Sequence, residues 1–65
     1  MRLQKILKTL DNEALINLRV NGNPIGGYDK AKTLLNQKVR FARVEKVASD
    51  YDAEYKINIL VIDLK

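Results

Sequence analysis

Residues 14–28, Ala14-Leu15-Ile16-Asn17-Leu18-Arg19-Val20-Asn21-Gly22-Asn23-Pro24-Ile25-Gly26-Gly27-Tyr28, decide the fold. Ile16, Leu18 and Val20 alternate with Asn17 and Arg19, the period of a strand with one buried face. Asn21-Gly22 follows at once. A two-residue hairpin turn needs positive φ at both central positions, which Asn and Gly tolerate, so the chain reverses here. Such a turn predicts Val20 paired with Asn23, Leu18 with Ile25 and Leu15 with Tyr28, and it places Leu18 and Ile25 on one face. Pro24 has no N–H to give to a ladder, so the returning strand belongs at a sheet edge. Gly26-Gly27 makes that strand weak and easily bent.

Upstream, Leu3, Ile6, Leu7 and Leu10 recur at i, i+3, i+4 and i+7, which predicts a helix over 2–10 with Arg2, Lys5 and Lys8 on its other side. A helix this short is unstable alone in water, so its apolar stripe must pack on the sheet. Downstream, Asp29 reads as the N-cap of a helical turn over 30–35, with Ala31, Leu34 and Leu35 inward. Residues 38–48 read as a third strand, in which Val39 and Phe41 share one parity and Ala42 and Val44 the other. That change predicts a β-bulge or burial on both faces. Residues 54–64 read as a fourth strand. Tyr55, Ile57, Ile59 and Val61 line one face, and Leu60, Ile62 and Leu64 make the other apolar as well. Ser49–Ala53 is the loop between these two strands.

The expected fold is therefore a single α+β domain over 1–65: a mainly antiparallel four-stranded sheet, an N-terminal helix packed on one face, and a short helical turn between two hairpins. The expected core is Ile16, Leu18, Phe41, Ile57 and Ile59 with Leu3, Ile6, Leu7 and Leu10 of the helix.

The chain has 65 residues, no Cys and no His. It therefore has no disulfide, no thiolate or imidazole metal ligand, and no side chain that ordinarily titrates near neutrality. The only Ser, Ser49, has no His to activate it. Asp50, Asp52 and Glu54 lie close in sequence on a polar loop, but they lack the glycine and further ligands of a calcium loop. No burial is expected there to push two carboxyl pKa values apart for acid–base work. Asn21–Gly27 is glycine-rich without the spacing of a phosphate loop. The composition thus points away from an enzyme and calls for no cofactor. No apolar run approaches the ~18 residues of a membrane span, and the expected location is the cytoplasm.

The net charge is +4, unevenly spread. Residues 1–48 hold ten Lys/Arg against four acids, while residues 49–65 hold two against four. Lys38, Arg40, Arg43 and Lys46, with Phe41, Tyr51 and Tyr55 nearby, form a cationic and aromatic candidate surface for nucleic acid or an acidic partner. Arg2, Lys5 and Lys8 form a second patch. A chain this short has little core of its own, and one helix covers only one face of a sheet. Leu60, Ile62 and Leu64 therefore predict a homodimer through the last strand, the competing explanation being that Leu34 and Leu35 cover them within one chain.

The opening Leu3-x-x-Ile6-Leu7-Lys8-x-Leu10-Asp11, the Asn-Gly turn, the Leu34-Leu35 segment and two closing strands together resemble small uncharacterised phage and prophage proteins. The resemblance is one of hydrophobicity and turns and carries no functional residue across. It implies an accessory factor acting in a host cytoplasm. Several families of this size inhibit host defence machinery, including CRISPR nucleases. The leading expectation is a non-enzymatic protein-binding module, an inhibitor of a host nucleic-acid-targeting defence enzyme, with a host protein as partner. The alternative is a small basic nucleic-acid-binding protein.

Overall fold

Asn21 and Gly22 both take positive φ, 52° and 78°, in the computed structural model, which describes residues 1–65 throughout. They join β1 (Leu15–Val20) to β2 (Asn23–Lys30), and Val20 pairs with Asn23 as the turn chemistry requires. The tight register lasts only to Arg19 and Pro24. The next pair is Asn17 with Tyr28, so β2 advances four positions while β1 advances two. Leu15 consequently meets Lys30 rather than Tyr28, Leu18 does not pair with Ile25, and Ile25 is left exposed. The slack lies at Ile25-Gly26-Gly27, where Gly26 has φ 79° and Gly27 has no left-handed angle. Nothing lies within 4 Å of a Cβ built at either glycine, so backbone conformation alone separates them. Gly26→Ala is expected to cost about 1 kcal/mol, because an L-residue is strained there. Gly27→Ala should be neutral or slightly stabilising, by restricting the unfolded chain. Urea unfolding of the two variants side by side checks this.

α2 (Ala31–Leu34) follows β2 without a break. Asp29 is still in β2, and the residue at the helix start is Lys30, with no side-chain cap. The expected Asp29 cap is thus replaced by backbone acceptors from the segment before β1. The Ala31 N–H donates to the Ala14 carbonyl (2.9 Å) and the Lys32 N–H to that of Asn12 (3.1 Å). Residues 38–41, expected to begin a strand, instead form a 3₁₀ helix. β3 (Val44–Asp52) starts only beyond the parity change, and it carries a bulge: Val44 faces Leu64 but Lys46 faces Asp63, so Glu45 is the extra residue. β4 (Ile57–Leu64) follows. The loop between them is Ala53–Lys56 rather than Ser49–Ala53. It is closed by Asp52, whose carboxylate accepts from the N–H groups of Glu54 (2.9 Å) and Tyr55 (3.1 Å).

The strand order is β2-β1-β4-β3. Both hairpins are antiparallel, as expected. The central pair β1/β4 is parallel, running from Ile16 opposite Leu60 to Val20 opposite Leu64, so the sheet is mixed. The topology explains where the helices lie. β2 ends at one edge and β3 begins at the other, so residues 31–43 must cross the sheet. α2 and the 3₁₀ helix make that crossing and pack with α1 (Leu3–Leu7) on one face.

Leu3, Leu7, Ile16, Leu18, Ala31, Leu34, Ile62 and Leu64 form one buried cluster beneath these helices, with Ile6, Leu10 and Leu60 half-buried at its margin. This alters the expected contact through the last strand. Ile62 and Leu64 belong to the core of the single chain, covered by Leu3, Leu7 and Leu34, and β4 is a central strand with both edges paired. The residues expected at a dimer contact are used internally, because three helical segments cover that face rather than one. Phe41, expected in the core, is 45% exposed on the 3₁₀ helix, and Ile57 is only half-buried.

No helix lies on the second face, yet Asn17, Ile59 and Val61 are buried there. Tyr28 reaches across this face. It starts beside Asn17 on β2, and its hydroxyl donates to the Asp52 carboxylate on β3. One phenol thus spans from one outer strand to the other, which only a sheet curled toward this face allows. The Arg19 Nε also donates to the Asn17 side-chain oxygen (3.1 Å). The Tyr28–Asp52 hydrogen bond holds the phenol pKa above its ordinary value and, with the N–H groups of Tyr55 and Glu54, the carboxyl pKa below its own. The signs fix the pH window. The Asp52 contribution is present above the unfolded value near 4 and is lost as pH falls through the lower folded value. The Tyr28 contribution is present below about 10 and is lost as pH rises through the higher folded value. Tyr28→Phe is therefore expected to lower the melting temperature throughout about pH 4–10, and the difference from the native chain should shrink outside that window. Thermal melts across pH check this.

Candidate nucleic-acid interface

α1 buries Leu3 and Leu7 and leaves Arg2, Lys5 and Lys8 in solvent. With Met1 and Gln4 these three cations line an open groove of about 430 Å³, and no acidic side chain borders it.

The residues before α1 do a second job. Met1–Leu3 lie against Ala42–Val44 as a short antiparallel strip: the Leu3 N–H donates to the Ala42 carbonyl (2.8 Å), the Val44 N–H to the Met1 carbonyl (2.8 Å), and Arg2 is the bridge partner of Arg43. Lys65 joins them, its N–H donating to the Arg43 carbonyl (3.0 Å). Arg2 and Arg43 are thus like charges on directly opposed positions, an arrangement that costs free energy unless an anion lies between them. The chain supplies none. Its ion pairs are Glu13 with Lys30 (2.7 Å) and with Lys32 (3.0 Å), which hold the Glu13 carboxyl below the usual range. None of Arg2, Lys5, Lys8, Arg43 or Lys65 has an acidic partner.

Lys38 and Arg40 sit in the 3₁₀ helix packed beside α1, not on one face of the third strand as expected. The Arg40 guanidinium lies 4.3 Å from the centre of the exposed Phe41 ring, and it also donates to the Gln37 carbonyl (2.9 Å). Lys46 stands apart on the sheet, beyond the bulge and opposite Asp63. The fold therefore joins the helix patch to Arg43 through Arg2, adds Lys65, sets Lys38 and Arg40 alongside, and leaves Lys46 out. Lys65 was missed in the sequence because its place depends on the β3/β4 register, which sets it one step beyond the Leu64–Val44 pair.

Three acids collect at the other end of the β3–β4 hairpin, while Glu45 and Asp63 lie toward its cationic end. Asp50, Asp52 and Glu54 surround the loop with the exposed Tyr51 and Tyr55. The seven steps along β4 from Ile57 to Leu64 separate the two ends by about 23 Å. No group of three His, Cys, Asp or Glu comes close enough to hold a metal ion, and no helix is long and apolar enough to cross a membrane. No known protein family, curated protein or solved structure matches the chain.

Proposed function

We propose that the chain is a non-enzymatic binding module that docks on the phosphate backbone of nucleic acid through Arg2, Lys5, Lys8, Arg43 and Lys65. The observation that carries this reading is the bridge between Arg2 and Arg43. It joins two cationic clusters into one surface, opposes like charges, and leaves every cation on it unpaired. Phosphates are the anions that such a row of point charges and guanidinium forks accommodates best. Binding should weaken steeply with salt. Five contacts to a single strand imply a slope of log K against log salt of about −3.5. Fluorescence anisotropy with a labelled oligonucleotide from ~50 to ~200 mM salt measures it. No binding at the lowest salt sinks the proposal.

A second reading follows the resemblance to phage accessory proteins: an inhibitor that binds a host nucleic-acid-targeting defence enzyme in the host cytoplasm. The observation favouring it is the opposite end of the molecule, where Tyr51 and Tyr55 stand exposed among Asp50, Asp52 and Glu54. Aromatic and anionic groups together suit the cationic groove of such an enzyme. Charge reversal separates the two readings. Glu54→Lys with Tyr55→Ala should abolish enzyme inhibition and leave oligonucleotide binding intact.

A further inference from the structure

β3 is an outer strand, and every residue from Glu45 to Tyr51 is exposed. Its outer hydrogen-bonding groups can be assigned from the strand's ends. The Arg43 carbonyl faces β4, where it accepts from Lys65, and the Val44 N–H faces away, toward Met1. Past the extra residue Glu45, the alternation turns Lys46, Ala48 and Asp50 toward β4 and leaves the N–H and C=O groups of Val47, Ser49 and Tyr51 pointing outward. The Tyr51 N–H agrees with this, since its partner is the Asp50 carboxylate (2.8 Å) rather than β4.

The charges along this edge are ordered. Arg43 and Lys46 lie at one end with Glu45 on the bulge between them, Asp50, Asp52 and Glu54 lie at the other, and Val47, Ala48 and Ser49 in the middle are small and uncharged. Antiparallel pairing of two such edges about Ala48 sets Val47 opposite Ser49 of the second copy, so that their free N–H and C=O groups satisfy one another. It sets Lys46 opposite Asp50 twice, in the closely spaced kind of pair where side chains approach best. It also brings the acidic loop of each copy toward Arg2 and Arg43 of the other. Parallel pairing would oppose like charges.

We propose that the outer edge of β3 pairs antiparallel with the same edge of a second copy, on a two-fold axis at Ala48, joining the two sheets into one. The contact is isologous and closed, as a two-fold interface requires. It uses β3, and not the apolar side chains of β4 that the core consumes.

Sedimentation equilibrium of the full chain from ~1 μM to ~1 mM, spanning Kd values of weak to moderate affinity, tests it. The expected result is a monomer–dimer equilibrium. Lys46→Glu alone and Asp50→Lys alone should each raise the dissociation constant at least tenfold, since each places two like-charge pairs across the axis. The combined exchange Lys46→Glu/Asp50→Lys should restore it to within about threefold, a rescue that damage to the fold would not produce. A monomer mass at every concentration overturns the proposal. So does a dimer that ignores both single changes, or one that the combined exchange fails to restore.

Discussion

Leu7→Ala is expected to cost about 2–5 kcal/mol, the range for truncating a fully buried Leu. Leu7 is 1% exposed and sits where α1 meets the core. α1 is five residues long and has no side-chain cap, so nothing local holds it. Its position depends on Leu3 and Leu7 packing against Leu34, Ile62 and Leu64. A chain of this size has a total stability of only about 3–10 kcal/mol, so the variant should be partly unfolded at 37 °C. Chemical denaturation with circular dichroism measures it. A loss below about half a kcal/mol would show that α1 is not docked. Leu10→Ala, half-buried at the margin, should cost clearly less.

Reversing both bridged guanidiniums, Arg2→Glu with Arg43→Glu, should weaken oligonucleotide binding on the order of a hundredfold at ~100 mM salt, about 2.7 kcal/mol. Two phosphate contacts are lost and two repulsions appear at the junction of the clusters. The strip beneath is held by backbone hydrogen bonds, so the fold should survive. Lys56→Glu makes a charge change at the opposite end and should alter affinity by less than threefold. A loss from Lys56→Glu about half as large in log affinity, in proportion to its smaller charge change, would mean that net charge matters and the surface does not.

The hairpin and the amphipathic helix were legible because each is written locally. Asn21-Gly22 specifies a turn through its own backbone preferences, and Leu3, Ile6 and Leu7 specify a face through spacing. The segment 38–41 was not. Two alternating apolar residues, Val39 and Phe41, are too few to separate a strand from a 3₁₀ turn, and the crossing that forces the turn is a property of the whole sheet. The parallel pairing of β1 with β4 was equally hidden, because neither hairpin carries any signal about which neighbour it takes. The burial of Ile62 and Leu64 within one chain follows from that pairing. The cationic residues themselves were visible, but their meeting depends on Arg2 lying against Arg43, a contact across 41 positions of sequence (43 − 2).

The central place of β4 also governs the order of events during synthesis. Ile16 has to wait for Leu60, 44 positions later (60 − 16), before the middle of the sheet exists. At about 5–20 residues per second, synthesis reaches Leu60 roughly 2–9 s after Ile16. Throughout that interval Ile16, Leu18, Leu3 and Leu7 have no finished core to enter. The middle of the sheet is thus completed only once β4 has been made, rather than built up stepwise behind the growing end.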